Sequence, residues 1–155
     1  MKKLTTLLAA IIITMTATSR DFLGVQFGMS YTLAELMLQQ SGYEPIDNDG
    51  NLVVVGKIKF AGITFDAASF EFNPKMCTAR LVYSGSDYYK VFEQTVARLD
   101  HKYGKADPIH NDNGLIYAYL DGTTQILCMS IRPGIGRKGS VGLTYIDTSA
   151  ADLDL

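Results

Sequence analysis

The sequence predicts an α+β protein in which two helices pack on one face of an antiparallel sheet. Two segments have apolar residues at helical spacing. Six other segments are rich in β-branched and aromatic residues and are separated by turn signals. In chain order these elements form two α-βββ units. Because an antiparallel sheet needs only one covered face, we expect the other face to be partly exposed or used for contact.

Residues 1–19 predict a secretory signal peptide. Two lysines follow the first residue, an apolar run extends over residues 4–15, and Ala17 and Ser19 have the spacing of a cleavage site. The run is shorter than the ~20 residues that span a bilayer. We therefore expect cleavage after Ser19, no stable membrane anchor, one domain over residues 20–155, and a periplasmic or secreted protein.

A short helix is expected to begin at Thr32. This residue is a natural N-cap, and Glu35 three residues later completes a capping box. Gly42 ends the helix, because glycine tolerates the left-handed conformation after the last turn. The apolar stripe of this helix is expected to consist of Leu33, Leu36 and Met37.

Three strands follow a turn-rich stretch at residues 44–51. Ala61-Gly62 is short enough to form a tight hairpin between the first two strands. Along the second strand, the alternation of inward-facing and outward-facing residues shifts by one position, which suggests a bulge near Ala67-Ala68. The strands are expected at residues 52–60, 63–72 and 76–83.

The second helix has the clearest pattern. Ser86 or Asp87 is expected to cap its start and Gly104 to end it. Its apolar face, with steps of three and four residues, consists of Tyr88, Phe92, Val96, Leu99 and Tyr103. After a loop come three more expected strands, at residues 115–120, 124–131 and 141–146.

The charge of the chain argues against a nucleic-acid partner. The whole chain has a formal net charge of −2, and loss of Lys2 and Lys3 with the signal peptide lowers it to −4. Binding to phosphates requires clustered Lys and Arg that displace counterions. We therefore expect no nucleic-acid partner.

The chain contains two cysteines, Cys77 and Cys128. Export permits a disulfide between them, and an even count fits one bridge. Two buried thiols that act as small apolar side chains fit equally well, because both residues lie in strand-like runs. Neither cysteine is close to a helix start or a cation cluster that would activate it.

No motif for a metal, a cofactor or catalysis emerges. Asp47-Asn48-Asp49-Gly50 lacks the glycine and glutamate positions of a calcium loop. Asp107, His110 and Asp112 match no standard metal spacing, and we expect a solvated loop there. No Gly-x-Ser-x-Gly elbow is present. His101 fits the C-terminal end of a helix better than a general base.

A loop with three cations and three glycines is the most unusual surface feature of the sequence. It covers residues 132–139 between two strands, and a flexible hairpin and an anion or partner contact both fit it. A row of exposed tyrosines, Tyr117 and Tyr119, would suit a protein or glycan interface. The candidate binding residues are Arg132, Arg137, Lys138, Tyr117 and Tyr119.

The residues at the starts and ends of the two helices form a pattern, which consists of Phe27-Gly28-Met29-Ser30, Gly42-Tyr43, Lys102-Tyr103-Gly104 and Pro108. This pattern resembles that of small exported proteins of Bacteroides-type bacteria, whose function is mostly uncharacterised. More distantly, both halves resemble the helix-plus-strands unit of β-lactamase-inhibitor proteins and of small outer-membrane assembly lipoproteins. This resemblance implies a sheet face that binds protein. The chain lacks the lipidated cysteine and the disulfide pattern of those families.

Together these features favour an exported, non-catalytic binding or adaptor module of the cell envelope. It would contact a protein partner through a sheet face and the loop at residues 132–139. The alternative is a periplasmic protein that binds small molecules or glycans through aromatic residues and His110. An exposed edge strand could also pair with a second copy of the chain.

Overall fold

The computed structural model describes residues 21–149, and the expected signal peptide with its cleavage site lies outside them. No helix among the described residues is long and apolar enough to cross a membrane. The elements, in chain order, are α1 (Tyr31–Gln40), β1 (Ile46–Asn48), β2 (Asn51–Phe60), β3 (Ile63–Phe72), β4 (Met76–Ser84), α2 (Tyr88–Tyr103), β5 (Ile109–Asn111), β6 (Gly114–Asp121), β7 (Thr124–Ile131) and β8 (Ser140–Asp147).

The strands form one antiparallel sheet of eight strands, in the order β1-β2-β3-β4-β8-β7-β6-β5. The α+β class with an antiparallel sheet is therefore confirmed. The strands at the centre are β4 and β8, and their pairing joins the two halves of the chain.

Each helix is followed by four strands, so the expected count of three was wrong. The missed strands are β1 and β5, which have three residues each and form the two edges of the sheet. Asp49 and Gly50 have φ angles of 55° and 85°, as a two-residue hairpin turn requires. The turn signals were read correctly, but the short strands beside them were assigned to loops.

The six longer strands agree with the expected ones to within one residue. The expected bulge is present as a register shift between Val55 and Ile58. Two residues of β2, Gly56 and Lys57, oppose Asp66 alone on β3, so the extra residue lies on β2 and not at Ala67-Ala68. Ala61 and Gly62 form the hairpin turn, both with positive φ.

The first helix begins earlier in the sequence than expected, and a different side of it faces the sheet. Its N-cap is Ser30, whose side-chain oxygen accepts a hydrogen bond from the Leu33 N–H at 3.3 Å. Ala34 and Leu38 are its fully buried residues. Leu33 and Leu36 are exposed, so the expected stripe does not face the core. The reason is tertiary, because small Ala34 allows the helix backbone to approach the sheet closely.

The second helix matches its expected range and ends at Gly104, which has a φ of 90°. Phe92 and Leu99 are buried together with Thr95. Asp87 occupies the N-cap position but makes no side-chain capping bond. Its carboxylate instead accepts a hydrogen bond from the hydroxyl of Tyr83 at the end of β4.

Both helices pack on the same face of the sheet. The ring of Tyr31 in α1 contacts Phe72 of β3, with centroids 5.4 Å apart, and Phe92 of α2 contacts Tyr117 of β6 at 5.8 Å. Strand register places Phe72 and Tyr117 on one face. The side chains under the helices form the core, which includes Leu52, Phe70, Leu81, Leu143, Cys128 and Ile126.

The N-cap of α1 provides a test of where this helix begins. We expect Ser30→Ala to lower the free energy of unfolding by about 1 kcal/mol, because a helix N–H loses its acceptor. Thr32→Ala should leave stability nearly unchanged, since that side chain caps nothing. Urea unfolding of both variants measures the difference. A larger loss in Thr32→Ala than in Ser30→Ala would contradict the observed helix start.

Candidate functional site

The face of the sheet that carries no helix is the candidate site, and we call it the open face. Register through all eight strands shows which side chains point to it. They form three rows that run across the strands. The middle row contains Ile46, Val53, Ser69, Arg80, Thr144, Leu127 and Ala118.

A second row crosses seven strands without a single polar side chain. At its centre is Gly142, where an added Cβ would meet nothing within 4 Å. A shallow depression therefore lies between the flanking side chains Val82 and Met129. This apolar row consists of Val55, Ala67, Val82, Gly142, Met129, Ile116 and Ile109.

The third row contains both apolar and polar side chains. Its Glu71 lies beside Arg80 of the middle row, and these two are the charged residues of the three rows. The Arg80 guanidinium lies 3.8 Å from the Glu71 carboxylate and also donates a hydrogen bond to the Thr144 hydroxyl at 3.3 Å. Arg80 and Glu71 are about half exposed, so their pairing is accessible to solvent. The row consists of Glu71, Thr78, Ile146, Gln125 and Leu120.

The open face presents large apolar side chains to solvent. Val55 is 70% exposed and Leu120 is 71% exposed, and the edge residues Ile46 and Ile109 are more than half exposed. With strands about 4.8 Å apart and side chains repeating about every 6.7 Å, the face covers roughly 700 Å².

The residues of the open face were not identified individually from the sequence. A signal was present in Leu52-Val53-Val54-Val55, where apolar residues occupy both parities of one strand. In an antiparallel sheet, such a run indicates that both faces are apolar. Only Leu52 and Val54 are covered by the core, so Val53 and Val55 remain on the open face.

The cationic loop, residues 132–139, connects β7 and β8 and is held at both ends. The Arg132 N–H donates to the Asn113 carbonyl at 2.8 Å, and the Gly85 N–H donates to the Gly139 carbonyl at 3.1 Å. Within the loop, Gly134 and Arg137 exchange two backbone hydrogen bonds. The loop is therefore an ordered turn rather than an unsupported hairpin tip.

A cleft of about 600 Å³ lies between the cationic loop and the start of α2. Its lining includes Ser86 and Tyr88 from the helix side and Arg137 and Lys138 from the loop. Gly139 lies so close to the Tyr88 ring that an added Cβ would come within 2.3 Å of it. The loop therefore packs on the helix side of the sheet and not on the open face.

Tyr117 and Tyr119 share one face of β6, but it is the face that α2 covers. Tyr119 is only 5% exposed, and its hydroxyl donates to the Asp100 carboxylate at 2.8 Å. Burial, and then this hydrogen bond, raise the pKa of Tyr119. Burial also raises the pKa of Tyr117, which is half-buried against Phe92. The expected row of exposed tyrosines is therefore replaced by core packing.

The two cysteines are free thiols. Cys128 lies two strands from β4, level with Leu81, and Cys77 is four residues further along β4. This register separates their Cα atoms by about 16 Å, since strands are ~4.8 Å apart and residues ~3.3 Å apart. A disulfide requires less than about 7 Å, so this fold excludes the bridge between them.

Neither histidine belongs to a metal-binding cluster among the described residues. His110 lies on the exposed edge strand β5, and His101 lines a separate cleft with Arg98 and Lys102 at the end of α2. Among residues 21–149, no group of three or more His, Cys, Asp or Glu side chains is arranged to hold a metal ion.

No known family model, characterised protein or solved structure matches this chain. The assignment of a function therefore rests on the open face and the cationic loop.

The environments of the two cysteines predict different reactivity. Burial raises the pKa of the Cys128 thiol to about 12, so the neutral form persists at every pH below that value. At about pH 8 only about one molecule in ten thousand carries the Cys128 thiolate. We expect a maleimide to label Cys77 in the native protein and Cys128 only after unfolding. Mass spectrometry of labelled peptides tests this, and equal native labelling or no free thiol would contradict the assignment.

Proposed function

We propose that this protein is an exported, non-catalytic binding module of the cell envelope that docks a protein partner on its open face. The observation that carries the proposal is the apolar row through Gly142, which lies uncovered across seven strands. The signal-peptide pattern of residues 1–19 supports export to the periplasm or beyond.

The size of the open face fits a protein partner. Its area of roughly 700 Å² is close to the ~800 Å² that each partner contributes to a standard protein–protein interface. Apolar burial at about 25 cal/mol per Å² supplies the main driving force for such an interface. Leaving this surface in water would forgo that contribution.

The polar groups of the face specify what kind of surface the partner offers. Arg80 and Glu71 give the face one charge of each sign, and Thr78 and Thr144 add hydroxyls beside them. A lipid acyl chain would displace water from the half-exposed Arg80 and Glu71 without offering them any hydrogen bond in exchange, which is costly. A polypeptide can cover the apolar row and also offer hydrogen bonds to the charged pair.

We further infer that the chain consists of two related units, each with one helix and an antiparallel group of strands. The mirrored strand order about β4 and β8 supports this inference. Each unit has four strands rather than three. Ile46 and Ile109 take equivalent positions, as the first residues of the two edge strands, and both point to the open face.

The cationic loop takes no part in this docking surface, because it packs against α2. Small-molecule or glycan binding, the second function that the sequence suggests, belongs to the cleft beside that loop. Neither His110 nor the two packed tyrosines Tyr117 and Tyr119 lines this cleft.

A charge placed in the depression at Gly142 tests the docking proposal. Gly142→Glu should fold normally, because an added Cβ would meet no atom within 4 Å there and the side chain starts into open space. It should weaken partner binding at least about tenfold, since docking would bury an unpaired carboxylate. Partner capture from the envelope fraction after mild crosslinking identifies the protein, and calorimetry with the purified partner gives the affinity.

Leu36→Glu provides the matched control, because Leu36 is 45% exposed on the opposite side of the molecule. We expect this variant to bind the same partner as the unchanged protein does. The proposal fails if Gly142→Glu binds as tightly as the unchanged protein, if Leu36→Glu alone loses binding, or if no protein partner is recovered.

A further inference from the structure

The cleft between the cationic loop and the start of α2 has the properties of a second, separate binding site. Its volume of about 600 Å³ lies within the ~300–1,000 Å³ of small-molecule pockets. Its walls come from three parts of the fold, namely the turn after β4, the start of α2 and the cationic loop.

The cations that line the cleft are held in place by the backbone. Gly134 and Arg137 exchange N–H to carbonyl hydrogen bonds at 3.0 and 3.1 Å, which fixes the turn between them. Lys138 is the next residue, and the Gly139 carbonyl accepts a hydrogen bond from the Gly85 N–H across the cleft. A ligand therefore does not have to order this segment, which lowers the entropic cost of binding.

The charged side chains that line the cleft, Arg137 and Lys138, are both cations. Neither Arg137 nor Lys138 forms an ion pair with any residue that the structure describes. Among residues 21–149, none of those that line the cleft is Asp or Glu. The Asp87 carboxylate lies beside Gly85, next to the cleft but not in its lining, and accepts a hydrogen bond from the Tyr83 hydroxyl.

The donor groups match an oxyanion. The Arg137 guanidinium offers a planar pair of N–H donors that suits a carboxylate or phosphate, and Lys138 adds a compact positive charge. Ser86 supplies a hydroxyl, and the side chain of Tyr88 forms an apolar wall against which the rest of a ligand can pack. These groups line one continuous space.

We propose that this cleft binds a small organic anion, namely a carboxylate or phosphate group carried on a sugar-sized molecule. This inference is independent of docking on the open face, because the two surfaces lie on opposite sides of the sheet.

The test compares three sugars that differ only in the group at carbon 6, which is anionic in two of them. Protein expressed from the full-length sequence is titrated with glucuronate, glucose 6-phosphate and glucose, and amide chemical shifts are followed by NMR. We expect saturable shifts at Gly85, Ser86 and Gly139 with at least one of the two anions and none with glucose. The anion that gives the shifts tells whether the cleft prefers a carboxylate or a phosphate.

Two double variants assign the effect to the cleft. Arg137→Ala with Lys138→Ala should weaken anion binding by about tenfold or more, as loss of charged hydrogen bonds implies. Lys57→Ala with Lys59→Ala removes two exposed cations from β2 and should leave binding unchanged. Absence of shifts with both anions, equal shifts with glucose, or unchanged affinity after loss of Arg137 and Lys138 would overturn the proposal.

Discussion

The pairing of β4 with β8 is the interaction on which the rest of the structure depends. Seven consecutive residue pairs, from Thr78–Ile146 to Ser84–Ser140, join the two halves of the chain edge to edge. Without this ladder each half would be a four-stranded sheet under a single helix. With it, the halves share one core on one face and one continuous surface on the other.

Because the two halves form one sheet, both helices cover the same face of it. The two helices and the segment around Phe22 lie over the core face, where Phe22 contacts Tyr145 at 5.0 Å and Phe60 at 5.8 Å. Nothing comparable in the described chain covers the open face. The apolar row through Gly142 is longer than either half could provide, because it runs from Val55 in one half to Ile109 in the other. The docking surface is thus a product of the β4–β8 pairing.

The sequence predicted the longer elements because their patterns were long. Phe92 and Leu99 lie in a sixteen-residue helix with a clear periodic apolar face, and α2 ends at Gly104 as expected. The first helix was harder, because Leu33 and Leu36 look like core residues although Ala34 and Leu38 are the buried ones. Which side of a ten-residue helix faces the sheet is decided by contacts such as Tyr31 with Phe72, and these are tertiary.

The kind of candidate site could be predicted from the sequence, but its residues could not. An available sheet face followed from having two helices for one antiparallel sheet, but its residues depend on register. A register carried through eight strands is a long-range property, and the bulge at Gly56 and Lys57 shifts it locally. The cationic loop was visible as a sequence, whereas its packing against Tyr88 depends on how close Gly139 comes to α2.

The central claim is that the open face contacts another protein, and site-specific photocrosslinking tests it most directly. A photoreactive residue would be placed at Val55 on the open face or at Leu36 on α1 and activated in intact cells. The account predicts one discrete protein adduct from Val55 and none from Leu36. Adducts from Leu36 alone, or only lipid adducts from Val55, would contradict it.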